Sequence, residues 1–229
     1  GGSMSTFALS PEDKARVAAA ITRAEEQTSG EVVPILADSS DSYADVALWW
    51  SAGVALLALS MLALFTPFYL GLIDRALGEW NREWSGHEVM ELALLVAVLK
   101  FAAMWLLLLW RPLRLALTPG WVKRHRVRAR AMSAFRMAAD KRTSGSTAVL
   151  IYLSRAERRA EIIAEAGIAS KVPATVWAEA MLALLGPVKA GRVADGLVDC
   201  MAAVGTVLAA HFPRDAHDAN ELPDRLILL

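Results

Sequence analysis

The stretch VALWWSAGVALLALSMLALFTPFYLGLI, residues 46–73, decides how the rest of this chain is read. It contains no Asp, Glu, Lys or Arg, and a helix of about 20 apolar residues covers a hydrocarbon core of roughly 30 Å. A transmembrane helix is therefore expected, with Pro67 near its end stopping or kinking it. A second run, Leu92 to Trp110, is apolar apart from Lys100 and is expected to cross back. Trp49, Trp50, Phe68, Tyr69 and Trp110 lie near the expected ends, where amphipathic rings favour the headgroup region.

Charge orients this hairpin. Between the spans, residues 74–91 hold two basic side chains, Arg75 and Arg82, whereas residues 111–130 hold seven. The basic flank belongs on the cytoplasmic side, and two crossings return the chain to the side it left. Both termini are then expected in the cytoplasm of an inner-membrane protein. Over all 229 residues the apolar content is 55% and formal charge is zero, so nucleic acid is not an expected partner. The single cysteine, Cys200, has no intramolecular disulfide partner, which fits a reducing compartment. Gly1-Gly2-Ser3 ahead of Met4 reads as a cloning scar outside the fold.

The flanks of the hairpin, residues 4–45 and 111–229, each look too small for a self-sufficient core and are expected to build one α/β domain. Ser10-Pro11-Glu12-Asp13 supplies a cap, a proline at the first helical position and two acids for the helix dipole. Thr28-Ser29-Gly30 stops that helix before a strand from Glu31 to Ala37, in which Pro34 argues for an edge or a bulge. A basic helix to about Arg142, with Val127, Ala131, Ala134, Phe135 and Ala138 on one side, leads through Thr143-Ser144-Gly145 into a strand from Thr147 to Leu153. The repeated order of helix, Thr-Ser-Gly and strand predicts neighbouring parallel strands. Ser154 to Glu157 is the expected turn into a strand over Arg159 to Glu165; Trp177–Leu185 and Arg192–Ala210 read as helices.

QTSGEVVPIL (27–36), STAVLIYLSRAERRAEIIAEAGI (146–168), KAGRVADGL (189–197) and the ending HFPRDAHDANELPDRL (211–226) resemble the TPM-domain family. The likeness is to its membrane-anchored bacterial members, in which two transmembrane helices interrupt the domain. That resemblance implies an α/β/α fold around a central mixed sheet, and a phosphatase or calcium-binding activity proposed for some members. Where many members carry Asp-Arg at the hairpin turn, this chain has Glu157-Arg158. Asp140 to Gly145 replaces the usual glycine- and tryptophan-containing approach to the middle strand.

Asp38, Asp41 and Asp45 follow the first strand, and Glu161 and Glu165 share a face of the third. Their oxygens would suit a hard cation such as calcium, although surface solvation or capping explains them as well. No complete set for phosphoester hydrolysis can be named. His87, His125, His211 and His217 sit on different elements and form no common site. Trp121, Lys123, Arg124, Arg126, Arg128 and Arg130 mix an aromatic with basic side chains. Near an anionic leaflet each such charge contributes about 1 kcal/mol to headgroup docking; the alternative is a solvated face that only fixes topology. Lys100 is an ammonium inside a span, costing at least about 2.5 kcal/mol on insertion scales. Snorkelling or a hydrogen bond to Ser60, Thr66 or a backbone carbonyl would offset this cost, as would a proton, ion or partner-helix contact.

The leading expectation is a non-catalytic interaction module, held against the membrane and facing another membrane protein or a further copy of itself. A phosphate-ester hydrolase, metal-dependent or not, is the alternative. An oligomeric transport accessory centred on Lys100 is the third reading.

Overall fold

The computed structural model describes residues 9–78, 83–139, 147–214 and 226–229. Gly1-Gly2-Ser3, Trp80, Arg82, Asp140 to Gly145 with the expected Thr-Ser-Gly stop, and His217 lie outside the described residues. The elements are α1 (Pro11–Glu25), β1 (Glu31–Ala37), α2 (Ala44–Leu64), α3 (Thr66–Leu77), α4 (Gly86–Leu108), α5 (Arg111–Leu117), α6 (Gly120–Ala139), β2 (Ala148–Ser154), β3 (Arg159–Ala164), α7 (Ala166–Ala169), α8 (Ala174–Lys189), α9 (Val193–His211) and β4 (Ile227–Leu228). They form two compact units, one of residues 1–41 and 121–229, the other of residues 42–120.

The first unit is a mixed α/β structure around a four-stranded sheet in the order β3-β2-β1-β4. β1 runs parallel to β2, and β2 and β3 form the expected antiparallel hairpin. The hairpin turns through Arg158, whose φ of 52° is left-handed. Side chains alternate across the sheet, as a period of two requires. Val32, Leu36, Val149, Ile151 and Leu153 face a core shared with α1, α8 and α9, while Val33, Ile35, Ala37, Leu150 and Tyr152 meet α6 through Val127, Ala131 and Ala134. Helices thus cover both faces, which is why β1 and β2 are buried along their whole length. Ser10 caps α1, its hydroxyl accepting the Asp13 N–H at 3.0 Å.

β4 was not foreseen, and it changes the meaning of Pro34. Odd-numbered residues of β1 bond toward β2: Glu31 N–H donates to the Thr147 carbonyl and Ala37 C=O accepts from Arg155 N–H. Even-numbered residues turn the other way, where Leu36 C=O accepts from Leu229 N–H and Asp38 N–H donates to the Leu229 carbonyl. Pro34 belongs to this second set, one position before pairing with β4 begins at Ile35 and Ile227. Among the described residues its missing N–H therefore faces no strand, and β1 stays regular although it is an interior strand. Further back on the same side, the Val32 N–H donates to the Glu25 carboxylate at 3.0 Å.

α9 runs through the apolar core with Val193, Leu197, Cys200, Met201, Val204 and Leu208 buried. Its close approaches depend on glycine. A Cβ on Gly196 would lie 2.5 Å from the Leu184 carbonyl oxygen of α8, and one on Gly205 would lie 2.9 Å from the Ala24 Cβ of α1.

In the second unit α2 packs along α4. The expected first span, 46–73, is divided: α2 ends at Leu64, Phe65 leaves helical geometry, and α3 restarts with Pro67 in its first turn. The Thr66 hydroxyl donates to the Leu62 carbonyl at 2.7 Å, satisfying one of the acceptors left open at the end of α2. The second apolar helix begins at Gly86, six residues ahead of the expected Leu92, because Ser85 and Glu88 form a reciprocal capping box. Trp110 falls outside it, in the turn to α5. Among the described residues three helices, α2, α4 and α9, are long and apolar enough to cross a membrane.

Candidate functional site

Polar side chains of the first unit gather at the carboxyl ends of the parallel strands β1 and β2, the end of an α/β sheet where ligands commonly bind. The chain leaves β1 as Asp38-Ser39-Ser40-Asp41, and the β2–β3 turn lies beside it. Ala156 N–H donates to the Asp38 carbonyl at 3.0 Å, tying the two loops together. Glu157, only 7% exposed, is the centre of the arrangement. One of its oxygens accepts the Ser40 N–H at 3.0 Å and the Ser39 hydroxyl at 3.3 Å, and the other accepts the Ser154 hydroxyl. One carboxylate oxygen thereby holds the loop after β1 and the other the end of β2.

The Ser40 hydroxyl meets the Tyr152 phenol at 3.2 Å. Burial pushes the Tyr152 phenol above its ordinary value; the Ser40 hydrogen bond and the Arg130 guanidinium act in the opposite direction, and the Glu157 charge adds to the rise. Arg126 forms an ion pair with Asp41, and Arg155 reaches Asp38 at 2.5 Å. Hydroxyls, two paired acids and three guanidinium groups therefore border one sheet end. Such a set can orient a polar or anionic group.

Of the acids singled out from the sequence, only Asp38 and Asp41 belong to this end. Glu161 lies midway along β3, opposite Tyr152. Glu165 sits at the other end of the sheet, where its carboxylate accepts the Ala148 N–H at 3.1 Å. Six strand steps separate those ends, about 20 Å, so Asp38, Asp41 and Glu165 do not converge on one cation. Asp45 belongs to the first turn of α2, in the second unit. Among the described residues no three His, Cys, Asp or Glu side chains form a metal-holding group.

The basic set on α6 is divided by the buried stripe Val127, Ala131 and Ala134. At 100° per residue, Lys123, Arg126 and Arg130 lie on one flank and Trp121, Arg124 and Arg128 on the other. The first flank serves the strand-end cluster through Arg126 and Arg130. On the second, Trp121, Arg124 and Arg128 are exposed. Lys100 is exposed near the middle of α4. Ser60 and Thr66 donate to carbonyls of α2 at Leu56 and Leu62. His87 pairs with Glu91 on the first turns of α4; His125 is on α6 and His211 ends α9. Cys200 packs in the core, and burial raises its thiol to about 12.

Glu157 was missed as a site residue because a charged residue beside a turn normally reads as solvated. The available signal was its place between a strand ending in Ser154 and the pair Arg158-Arg159.

No family model matches the chain, and no curated protein matches it. Among solved structures it is similar to the NMR structure of protein BA42 from the psychrophilic bacterium Bizionia argentinensis, at 20% identity and a TM-score of 0.55. That alignment covers 98% of this chain and 97% of the other, a likeness of fold.

Proposed function

We propose that this is an integral protein of the bacterial inner membrane. In this reading α2 and α4 span as a hairpin, and the α/β unit lies on the cytoplasmic side as a non-catalytic module that engages another membrane protein. One observation carries it: α2 and α4 pack on each other yet display Leu56, Leu57, Leu64, Leu94, Leu95, Leu99, Leu106 and Leu107 outward, each more than half exposed. Leucine arrays of that extent are stable against lipid rather than water. Their 21 and 23 residues correspond to about 31 and 34 Å of helix, enough for a hydrocarbon core. The seven basic residues after α4 favour the cytoplasm for that flank. Trp121, Arg124 and Arg128 would then meet anionic headgroups. The TPM-like sequence stretches on either side of the hairpin fit a single domain interrupted by a membrane insertion.

Engagement of one Glu157 oxygen by Ser39 and Ser40 of the loop after β1, and of the other by Ser154 at the end of β2, supports a positioning role for this acid, and hence a binding surface rather than a reactive centre. The test of topology is single-cysteine labelling in a Cys200→Ser background. Glu83→Cys should react with a membrane-impermeant maleimide in intact cells, and Lys189→Cys only after the membrane is opened. Equal labelling of both from outside would overturn the hairpin. For the module, the full-length protein should recover one reproducible partner in near-equal amounts from gently crosslinked membranes, and recovery of no protein other than itself would count against it.

The second reading is a phosphate-ester hydrolase, with or without calcium, favoured by the hydroxyls and guanidinium groups at the carboxyl ends of β1 and β2. Hydrolysis of p-nitrophenyl phosphate that disappears in Glu157→Gln and Arg126→Ala would support it. Activity insensitive to both would exclude that site.

A further inference from the structure

Lys100 sits on α4 with its side chain exposed, and Leu107, two turns along the same stripe, is more than half exposed. Among the described residues no hydrogen bond or ion pair reaches its ammonium. The hairpin offers none by composition, since residues 46–73 carry no acid and Lys100 is the only charge between Leu92 and Trp110. A second copy of this chain would bring the same two segments, and therefore another cation and no carboxylate at that depth. Glu91, nine residues earlier, is about 13 Å away along the helix and pairs with His87 at 3.1 Å.

Snorkelling is handicapped by direction. The shorter way from Lys100 to an interface runs toward Leu108, eight residues or about 12 Å. Helical Cα–Cβ bonds tilt toward the N-terminus, which here is the opposite way. One turn to either side of Lys100 stand Ala97 and Ala103, whose small side chains let a neighbouring helix approach closely. Cation, missing counter-charge and close-packing positions lie on one stripe.

We propose that the Lys100 stripe of α4 docks a transmembrane helix of a different protein, one carrying an aspartate or glutamate at matching depth. The proposal rests on the reading of α2 and α4 as a spanning pair and specifies the chemistry of its partner. An interhelical carboxylate would give the ammonium its counter-charge and hydrogen bond where lipid tails give neither.

The test places a photoreactive amino acid at Leu107, two turns along the same stripe, in the full-length protein in native membranes. The expected result is a heterologous protein adduct that persists with Lys100→Arg and falls at least about tenfold with Lys100→Leu, equivalent to 1.4 kcal/mol. Changing the partner's intramembrane Asp or Glu to the amide should cause the same loss. Lys100→Leu should leave membrane insertion intact, because it removes a charge from a span. An adduct with the mass of two copies overturns the proposal, as does a partner without an intramembrane acid. So does an adduct indifferent to Lys100→Leu, or labelling of lipid alone. The Glu83→Cys and Lys189→Cys topology measurement is run on the same membranes. Labelling of both from outside shows failure of the spanning reading, whereas correct topology without a charge-dependent adduct shows failure of the partner assignment.

Discussion

α4 and α9 are both long, both apolar and both able by length to cross a membrane, yet half of the apolar window of α9 is buried against 6% of that of α4. The difference lies in what surrounds the apolar residues. α9 carries Asp195, Asp199 and two glycines that admit neighbouring helices, and its buried residues recur at helical spacing. α4 is leucine-rich on all sides between its capping box and Trp110. Apolar content sets how much surface must avoid water; its angular distribution decides whether protein or lipid covers it.

The comparison breaks outright if a lipid-phase carbene probe labels α9 as heavily as α4. The expected pattern is strong labelling of α2 and α4 and little of α9, read by peptide mass spectrometry. Next in size, Gly196→Val drives a branched side chain into the Leu184 carbonyl and should destabilise the α/β unit by about 3 kcal/mol. Gly53→Val in α2, where an added Cβ meets nothing within 4 Å, should stay within about 0.5 kcal/mol. Chemical denaturation in detergent, with amide exchange assigning the change to a helix, distinguishes the two. Similar losses for both would mean that the second unit is as tightly packed as the first.

Glu157→Ala should cost about 2–3 kcal/mol, because it strands donors on Ser40 and Ser154 in a buried place. Amide exchange should rise in residues 38–41 while α2 and α4 keep their protection. The smallest effect concerns Asp195 on α9, whose carboxyl is held below its ordinary value by a hydrogen bond from Arg16 of α1, with Arg192 adding to the attraction. A lowered carboxylate contributes stability above its unfolded value of 3.8 and loses it as pH falls through the lower folded value. Asp195→Asn should therefore melt slightly earlier than the parent at neutral pH, the gap closing below about pH 3.8. A gap that persists at low pH would assign the effect to packing.

Much of the α/β unit could be read from the chain. β1 was bounded correctly by the Thr28-Ser29-Gly30 stop, and β2 and α9 are each shifted by a single residue from their expected starts. Those elements have strong local punctuation and unbroken periodicity. β4 was not legible because two residues carry no period, and its pairing depends on β1, distant in sequence. α8 extends beyond its expected Trp177–Leu185 at both ends; at the far end Pro187, in the last turn, looks like a stop but is accommodated. Of the site, Asp38, Asp41, Arg126 and Arg130 were marked by charge alone. Their association with Tyr152 and Glu157 needed the third dimension, because burial of an acid leaves no trace in composition.

Pro34 and Glu25 have a consequence beyond pairing arithmetic. An open sheet flank is a template on which a foreign strand can polymerise. Here the template is blanked at Pro34, which offers no donor, and at Val32, whose donor is already held by Glu25. Beside Ile35 and Leu36 the ladder continues, and the chain fills that short length with its own Ile227 and Leu228. Among the described residues an invading segment would find no free ladder on that flank, so β1 resists strand-by-strand aggregation although it is wholly apolar from Val32 to Ala37.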